Sequence, residues 1–364
     1  MLDKEDLIRY SKQIQLSEIG ETGQQKLQSS KVLVIGAGGL GCPVLTQLTT
    51  CGIGTIGIID HDKVSLSNLP RQTLYGHTSL GKSKVKEAIK RLLYLNPKTN
   101  FIEHNFQLTT TNAYDTIKKY ELIIDCSDNF PTKYLINDAC IILNKPLIYG
   151  AVFKHEGQVA VFNHKGSASY RCLFPKEENA STLNCDDSGV MGTITSIIGA
   201  FQANESIKVL LNYGEILTNK LKVYNALNSV TTIIEFKKKE HNIYKRIKSD
   251  LFFNEKDYSF NCDSIKEISH SSLIKVIKED IQFIDVREPN ESPKCSELKS
   301  LNIPAKNILE HLNEIDKQKK VVLFCNSGVR SKIALSTLNK HNYLPNVMSL
   351  ENGLKNWDEL KQHL

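Results

Sequence analysis

The sequence lacks any apolar run that approaches the ~20 residues needed to cross a bilayer, and its first residues contain no signal-peptide core. We therefore expect a cytoplasmic protein that does not act at a membrane. The nine cysteines are scattered through 364 residues instead of being spaced as a small secreted framework. This distribution excludes a disulfide scaffold and predicts reduced thiols.

A large excess of one charge sign is also missing. The chain has 46 Lys and Arg against 40 Asp and Glu, which gives a formal net charge of +6. This surplus is too mild to indicate a nucleic-acid partner, and it suits a polyanionic small molecule or an acidic protein. The length allows two domains, and the contents of 40% hydrophobic and 24% charged residues are those of an ordinary globular protein.

Continuous apolar runs alternate with helical patterns through the front of the chain. Strands of this kind are buried on both faces, so we predict an α/β fold with a Rossmann-like, doubly wound and mostly parallel sheet. Two later segments are expected to be antiparallel strands. The predicted parallel strands are 31–36, 53–60, 120–129 and 145–152, a helix is predicted at 82–96, and the later strands are 157–164 and 220–236.

The periodic pattern stops between about 237 and 265, in a charged stretch that we interpret as a linker. Its basic run could contact RNA, but a solvated connector is the preferred interpretation. A helix, two strands and a helix are predicted after it, which indicates a smaller second α/β domain. The predicted domains are 1–240 and 267–364, joined by a basic linker at 241–266.

Gly36, Gly38 and Gly41 form a G-x-G-x-x-G pattern between a predicted strand and a predicted helix, and residues 36–41 are called the glycine loop below. Glycines let the backbone approach a phosphate, and the helix N-terminus offers unpaired N–H groups. Asp60 ends the second strand, where a carboxylate can accept ribose hydroxyls. These features alone favour a nicotinamide dehydrogenase.

The loop after the second strand carries side chains that hydride transfer does not need. Asp62 and Arg71 lie in this loop, and Lys84 follows shortly after it. Cations beside phosphates stabilise pyrophosphate as it departs when ATP is split between its α- and β-phosphates. Asp128 ends another strand and has the hard oxygen ligands that Mg²⁺ prefers. An ATP-splitting site therefore explains the set better than a dehydrogenase does.

The motifs GAGGLG, SNLPRQ, GKSK and DCSDN have the order and spacing of the MoeB/ThiF/HesA adenylyltransferases, relatives of the ubiquitin-activating enzymes, and residues 5–240 resemble this family. The resemblance implies a homodimer that uses ATP and Mg²⁺ to adenylate the C-terminal Gly-Gly carboxylate of a ubiquitin-like sulfur carrier of the MoaD or ThiS kind. It implies catalysis by Arg71 and Mg²⁺ binding by Asp128. The nucleotide contacts that it implies are Gly36, Gly38, Gly39, Asp60, Asp62, Ser67, Asn68, Leu69, Pro70, Arg71, Gln72, Lys84, Asp128 and Asn129.

The sequence departs from this family at two places. In RYSKQ, Lys12 replaces an arginine that usually reaches the phosphates of the neighbouring subunit, and lysine lacks the bidentate fork. Many members also bind a structural zinc through two C-x-x-C pairs. Here the first pair has become Ser169-Tyr170-Arg171-Cys172, and only Cys262 stands in place of the second. Two thiols cannot close a tetrahedral site, so we predict no zinc.

Cys185 lies in the polar stretch STLNCDDSGVMG before an apolar helical run. The resemblance implies that it is the cysteine that attacks the acyl-adenylate or forms a disulfide with the carrier. Asp186 and Asp187 argue against this role, because neighbouring carboxylates raise the pKa of a thiol. We interpret Cys185 as a nucleophile, with a structural loop thiol as the alternative. Core positions are expected for Cys42, Cys51, Cys126 and Cys140.

The stretch FCNSGVRS contains Cys325 and Arg330 with four residues between them, one fewer than in the phosphatase pattern C-x5-R. Residues 325–330 are called the cysteine loop below. A tighter ring of N–H groups fits a cysteine persulfide, and the same groups stabilise the thiolate.

The flanking segments IDVREPNE and LENGLKNW make residues 268–364 similar to single-domain rhodaneses, which are sulfurtransferases. The resemblance implies a catalytic cysteine at 325 and a catalytic-loop arginine at 330. It departs at Asn352, where glycine is usual, and in residues 291–304, where a His-containing motif is missing.

The two halves together predict an enzyme that adenylates a carrier protein and then forms a thiocarboxylate with sulfur from a Cys325 persulfide. A cysteine desulfurase or thiosulfate is the expected sulfur donor. The alternative is a rhodanese with a non-catalytic nucleotide-binding front domain. A dehydrogenase fused to a phosphatase is disfavoured by the loop length and by the cations. The sequence leaves open whether the pathway is molybdopterin synthesis, thiamine synthesis, tRNA thiolation or formation of a cysteine product.

Overall fold

The computed structural model describes residues 2–175, 189–239, 266–277, 280–340, 346–356 and 361. Described residues up to 239 form one compact unit, and those from 266 onward form another. Nearly all of the predicted linker lies outside the described residues, so the domain boundaries stay a prediction. Within the described parts of the chain, no helix is both long enough and apolar enough to cross a bilayer.

The first unit is built on an eight-stranded sheet. Its strands are β1 (Lys31–Ile35), β2 (Thr55–Ile59), β3 (Asn100–His104), β4 (Leu122–Asp125), β5 (Leu147–Phe153), β6 (Glu156–Phe162), β7 (Lys220–Asn225) and β8 (Val230–Glu235). The spatial order is β3-β2-β1-β4-β5-β6-β7-β8. Pairing is parallel from β3 to β5 and antiparallel from β5 to β8. The predicted α/β fold with a parallel-dominated sheet is confirmed.

Helices cover both faces of this sheet. Because successive strand residues point to opposite faces, Val32 and Val34 of β1 join one apolar cluster while Leu33 and Ile35 join the other. Because both faces of β1 are buried, residues 32–35 are all apolar. The helices of the unit are α1 (Lys4–Arg9), α2 (Ser11–Ile14), α3 (Gly20–Ser29), α4 (Gly41–Thr50), α5 (Lys84–Leu95), α6 (Thr110–Ile117), α7 (Phe130–Ile142), α8 (Tyr170–Leu173) and α9 (Gly192–Leu211).

The register of the three central strands brings their carboxyl ends to one edge. Ile35 of β1 is paired with Ile59 of β2 and with Asp125 of β4. The loops that follow these strands therefore emerge side by side, which is where open α/β sheets bind their ligands.

The second unit has a five-stranded sheet in which every pair is parallel. Its strands are β9 (Glu267–Ile268), β10 (Ile281–Asp285), β11 (Leu301–Asn302), β12 (Lys320–Phe324) and β13 (Val347–Leu350), and its α-helices are α10 (His270–Val276) and α11 (Val329–Lys340). The order is β11-β10-β12-β13-β9, so the cysteine loop follows the central strand. The predicted smaller α/β unit is confirmed, although β9, β11 and β13 were not predicted.

Candidate functional site

The glycine loop joins β1 to α4, and its backbone requires glycine at two positions. Gly36 has φ +99°, and a Cβ atom there would lie 2.6 Å from the backbone oxygen of Cys126. A Cβ atom on Gly41 would lie 2.0 Å from the backbone oxygen of Gly36. No side chain caps the start of α4, where Leu40 is the N-cap. The loop thus leads closely into an uncapped helix N-terminus, which suits a phosphate.

Asp60 connects the glycine loop to the loop after β2. Its Oδ2 atom accepts a hydrogen bond from the Ala37 amide at 2.8 Å, and its Oδ1 atom accepts one from the Asp62 amide at 2.9 Å. Tyr75 donates its hydroxyl to the Ala37 carbonyl at 2.8 Å. These bonds hold the two predicted nucleotide-binding loops together.

The two predicted phosphate cations differ in their partners. Lys84 begins α5 and is 6% exposed, and its Nζ atom lies 2.7 Å from Oδ2 of the half-exposed Asp62. Arg71 is half-buried and donates from Nη1 to the Ser67 carbonyl at 2.7 Å. Asn68 accepts from the Ser65 amide and closes the short turn in which these residues lie.

Gln72 is buried beside the glycine loop with an unused acceptor. The side chain is 3% exposed, and its Nε2 atom lies 3.6 Å from where a Cβ atom of Gly38 would be. Its buried Oε1 atom has no hydrogen-bond partner among the residues that the structure describes. An orphaned buried amide oxygen next to a phosphate-type loop is expected where a ligand supplies the missing donor.

The start of α9 packs against both loops. A Cβ atom on Gly192 would lie 2.4 Å from the Pro70 carbonyl oxygen, and one on Gly39 would lie 3.1 Å from Cγ2 of Thr195. The first contact requires glycine at 192, and the second leaves little space beside Gly39. The sequence analysis did not include Gly192 and Thr195, because they are far along the chain from both motifs.

Asp128 and Asn129 lie in the turn after β4. The exposed Asp128 carboxylate accepts a hydrogen bond from Asn129 Nδ2 at 3.3 Å, and Asn129 caps α7 by accepting from the Thr132 amide at 3.0 Å. An exposed carboxylate at this edge fits the predicted role in Mg²⁺ binding. Single ligand atoms of Asp60, His61 and Asp62 also lie within 4.8 Å of one another, but Asp62 is engaged by Lys84.

Lys133 is a buried cation that the sequence analysis missed. It is 5% exposed, lies 3.2 Å from Asp125 Oδ2, and donates to the carbonyls of Ser127 at 2.8 Å and Gly150 at 3.0 Å. Asp125 also accepts from the amide and hydroxyl of Ser127. This network fixes the turn that carries Asp128. The pattern of apolar residues in α7 did not indicate that Lys133 points inward.

Of the remaining predicted residues, Lys12 and Cys172 are described by the structure, and two cysteines are not. Lys12 is exposed on α2. Cys185 and Cys262 lie outside the described residues. Cys172 is buried, and its Sγ atom accepts from the Lys239 amide at 3.3 Å. The absence of zinc therefore stays a prediction.

The predicted core thiols are confirmed in three cases out of four. Cys42, Cys126 and Cys140 are buried, and burial raises the pKa of each, to about 12 for Cys42. Cys51 is only partly buried because it caps the end of α4, although desolvation also raises its pKa. Raised thiol pKa values make these cysteines poor nucleophiles.

The cysteine loop is closed by a second turn. Cys325 follows β12 and is 0% exposed. Gly328 has φ +84°, and a Cβ atom on Gly353 would lie 2.1 Å from the Cys325 carbonyl oxygen. Asn352 has φ +60°, a left-handed conformation that asparagine tolerates better than most residues, which accounts for it in place of glycine.

One hydroxyl group lies near the Cys325 sulfur, and a second serine supports it. Ser331 Oγ lies 3.8 Å from Cys325 Sγ, and Ser349 donates to Ser331 Oγ at 2.8 Å. Both serines are 0% exposed. Ser327 has a buried Oγ atom without a hydrogen-bond partner in the described part of the chain.

Arg330 lies beside the cysteine loop in an ion pair. Its Nη1 and Nη2 atoms contact Glu291 Oε1 and Oε2 at 2.5 and 2.8 Å. The hydrogen bond from Arg330 lowers the pKa of Glu291 to about 2. Asn326 also donates to Glu291 at 3.0 Å and accepts from Arg287 at 2.9 Å. The partner carboxylate of Arg330 was not predicted.

Comparison with known proteins agrees with both halves. The ThiF family model matches residues 10–245, and the rhodanese-like domain model matches residues 269–360. The chain is 36% identical over 385 residues to the adenylyltransferase and sulfurtransferase MOCS3 of Culex quinquefasciatus, covering 98% of this chain and 88% of the relative. It is 35% identical over 382 residues to the Aedes aegypti protein of the same name, covering 98% and 87%.

Solved structures share the fold of the front half. E. coli MccB in complex with MccA-N7isoASN has a TM-score of 0.58 at 22% identity, covering 65% of this chain and 73% of that chain. E. coli MccB with ATP has a TM-score of 0.55 at 24% identity, covering 64% and 71%. At these identities the likeness shows the fold alone. The sequence relatives and family matches show more: the chain belongs to the ThiF family, in the group of adenylyltransferases and sulfurtransferases that carry a rhodanese-like domain after the ThiF domain.

Proposed function

We propose that this enzyme adenylates the C-terminal Gly-Gly carboxylate of a ubiquitin-like sulfur carrier and then converts it to a thiocarboxylate with the sulfur of a Cys325 persulfide. The observation that carries the proposal is the meeting of three loops at the edge formed by β1, β2 and β4. The Asp60 carboxylate joins two of these loops by accepting a hydrogen bond from the Ala37 amide, and the close approach of Gly36 to Cys126 joins the third.

ATP fits the residues at this edge. The glycine loop and the uncapped start of α4 suit its phosphates. Asp60 and Gln72 offer acceptors for hydroxyl and amino groups, since Gln72 Oε1 lacks a partner among the described residues. The remaining predicted contacts, Gly39 and the 67–71 turn, border the start of α9. Lys12, exposed on α2, remains a proposed phosphate contact of a second subunit in a homodimer.

Arg71 and Lys84 are assigned to charge stabilisation. A carboxylate oxygen of the carrier attacks the α-phosphorus, the bond to the β-phosphate oxygen breaks, and pyrophosphate leaves with the electron pair. Guanidinium and ammonium groups beside the β- and γ-phosphates stabilise this developing charge. Asp128 would hold Mg²⁺, which when bound supplies further positive charge to the phosphates.

The cysteine loop is assigned to the sulfur step. The terminal sulfur of a Cys325 persulfide attacks the acyl carbon, AMP leaves with its oxygen, and an acyl disulfide joins carrier and enzyme. Attack by the Cys185 thiolate on the Cys325 sulfur would release the thiocarboxylate and form a disulfide between the two cysteines. A cellular dithiol must then reduce this disulfide. Cys185 lies outside the described residues, so its proposed role in this release depends entirely on the sequence.

A protein substrate is consistent with β8, which is the edge strand of the first sheet among the described residues. All six residues of β8 are exposed, with Val230 at 50%, Ile233 at 44% and Ile234 at 46%. In the described sheet β8 lies at the end of the strand order. Unpaired backbone groups and apolar side chains on such an edge can add a strand or the sheet face of another protein.

The test is carrier-dependent exchange of pyrophosphate into ATP by the purified chain. We expect exchange with carriers that end in Gly-Gly and none with the same carriers after removal of the last glycine. Mass measurement of the carrier should then show oxygen replaced by sulfur when a sulfur donor is present. Pull-downs with Cys185→Ala and Cys325→Ala variants identify the carrier.

Two results reject parts of the proposal. If no carrier supports exchange, adenylation is excluded. If Cys325 accepts sulfur while no adenylate forms with any carrier, the chain is a rhodanese with a nucleotide-binding front domain, as the replacement at Lys12 allows.

A further inference from the structure

A buried serine interrupts the apolar face of β13 that packs against α11. Alternate residues of a strand share a face, so Ser349 lies on the same face as Val347. Val347 belongs to the apolar cluster that also contains Ala334 and Leu338 of α11. Ser349 is 0% exposed, and a buried hydroxyl costs free energy unless it is hydrogen-bonded. The alternation predicts an apolar residue at 349, so the hydroxyl found there points to a specific partner.

That partner is the serine beside the catalytic sulfur. The Ser349 hydroxyl donates to Ser331 Oγ at 2.8 Å. Ser331 lies in the first turn of α11 and is also 0% exposed. Its Oγ atom is 3.8 Å from Cys325 Sγ and 3.0 Å from the Gly328 carbonyl oxygen. Because Ser331 has a single hydroxyl proton, it can donate to only one of these two acceptors at a time.

The direction of the first hydrogen bond determines what Ser331 can do. A hydroxyl that accepts a hydrogen bond is polarised and becomes a stronger donor. When Cys325 is a thiol, the Ser331 hydroxyl can donate to the Gly328 carbonyl. Ionisation releases the Cys325 proton, and the hydroxyl can then turn to the sulfur anion. A hydrogen bond to the charged form of a group favours that form, so Ser349 stabilises the thiolate through Ser331.

The sheet holds Ser349 in a fixed position. The register of β12 and β13 pairs Leu323 with Ser349, and the Ser349 amide donates to the Lys266 carbonyl at 2.9 Å. The strand β13 lies between β12 and β9, so its backbone is supported on both sides. A group carried by a paired strand is placed more precisely than one carried by a loop. Ser349 can therefore hold the Ser331 hydroxyl at a constant distance from the sulfur.

We propose that Ser349 is a positioning residue of the sulfurtransferase site, which holds and polarises the Ser331 hydroxyl so that this hydroxyl donates to the Cys325 thiolate. This inference rests on the proposed function, because it assumes that Cys325 carries the transferred sulfur. It adds to the site a residue from β13, which neither belongs to the cysteine loop nor follows it directly in the chain.

The experiment measures thiolate formation at Cys325 in the full-length chain as a function of pH. Ultraviolet difference spectra between each protein and its Cys325→Ala counterpart isolate the absorbance of this thiolate among the nine cysteines. Ser349→Ala should move the midpoint of thiolate formation to higher pH, so that the thiolate fraction below the midpoint falls about fivefold. Ser349→Thr keeps a hydroxyl and should stay within about twofold of wild type. Thr337→Ala, the matched control, removes another hydroxyl in α11 and should leave the midpoint unchanged.

A double-mutant cycle separates this role from a structural one. Ser331→Ala alone and Ser331→Ala combined with Ser349→Ala should have the same midpoint, because Ser349 acts through Ser331. Additive shifts, or an unchanged midpoint in Ser349→Ala, overturn the inference. The charged side chains on the elements around the cysteine loop are the same in all of these variants, and they form the ion pairs Arg287–Asp285, Arg330–Glu291 and Lys332–Glu267.

Sulfur loading distinguishes the failure of this inference from that of the proposed function. Persulfide formation on Cys325 is followed by mass spectrometry of the Cys325 peptide, with thiosulfate and a cysteine persulfide as probes. If wild-type Cys325 is loaded while the Ser349→Ala midpoint is unchanged, only the inference fails. If neither probe loads wild-type Cys325, the sulfur step of the proposed function fails, and the inference fails with it.

Discussion

The glycine loop and the cysteine loop occupy the same place in their two sheets, since each follows a buried parallel strand and leads into a helix. Both need glycine at positive φ, at Gly36 with +99° and at Gly328 with +84°. They differ in the partner of their arginine, while Lys84 of the first unit is paired with Asp62 at 2.7 Å. Arg71 donates to a backbone carbonyl, and no carboxylate pairs with it among the described residues. Arg330 is held by a carboxylate in bidentate geometry.

This difference fits the chemistry proposed for each loop. A site that releases pyrophosphate must keep positive charge available, because the leaving group carries several negative charges. A site that passes a sulfur between thiolates handles one negative charge at a time, and backbone N–H groups can stabilise it. The same strand–loop–helix unit therefore supports different reactions, and the partner of the nearby arginine is one difference between the two sites.

Substitution of Cys325 should separate the activities of the two loops most completely. Cys325→Ala should abolish persulfide and thiocarboxylate formation, because no other described cysteine lies in a comparable loop. Carrier-dependent pyrophosphate exchange should stay within about twofold of wild type. Parallel assays on one protein preparation check both statements. Loss of exchange in this variant would show that the two loops do not work as separate sites.

Asp138→Ala tests whether the first unit can be destabilised without affecting the second unit. Arg171 pairs with Asp138 at 2.6 and 2.7 Å, and both side chains are buried. The variant leaves the Arg171 charge unpaired in the core, so the free energy of unfolding should fall by about 3–5 kcal/mol. Urea unfolding measures the loss, with sulfur loading of Cys325 as the readout for the tail. Asp115→Ala, which breaks the exposed pair with Lys118, should cost less than about 1 kcal/mol.

Arg71→Ala is the front-loop counterpart of the Cys325 variant. Because the guanidinium is assigned to the departing pyrophosphate, exchange should fall about a hundredfold while sulfur loading of Cys325 is unchanged. Arg71→Lys should recover part of the activity, since it restores charge without the fork. Arg91→Ala, an exposed arginine on α5, is the matched control. An Arg71→Ala enzyme with normal exchange contradicts the assignment.

The smallest effect concerns the pH dependence of the tail unit. The pKa of Glu291 is lowered to about 2 in the folded state, and a free glutamate has a pKa of about 4.3. The pair therefore contributes stability above the unfolded pKa, and this contribution is lost as the pH falls toward the folded pKa. Glu291→Gln should reduce the decrease in unfolding free energy between about pH 5 and pH 3. Equal decreases in both proteins would remove the pair as a cause.

Some strands were predictable because burial on both faces produces a nearly continuous apolar run in the sequence. The strands β1, β2 and β4 each have one polar residue, at an end, and no charged or polar residue inside, so the pattern was recognised. The strand β3 was missed because it lies at the sheet edge, where only one of its five residues is buried. The strands β9 and β11 have two residues each, too few to show a period.

The sequence by itself determined the two α/β units, the glycine and cysteine loops, and the set of residues that gather at the carboxyl ends of the strands. These follow from short-range patterns, because strand burial and loop glycines are set within a few residues. Only the tertiary structure decided which charges meet. Lys133 turns inward to Asp125, and Arg330 pairs with Glu291, 39 positions away. Ion pairs of this kind depend on how distant segments pack, and no local pattern encodes that.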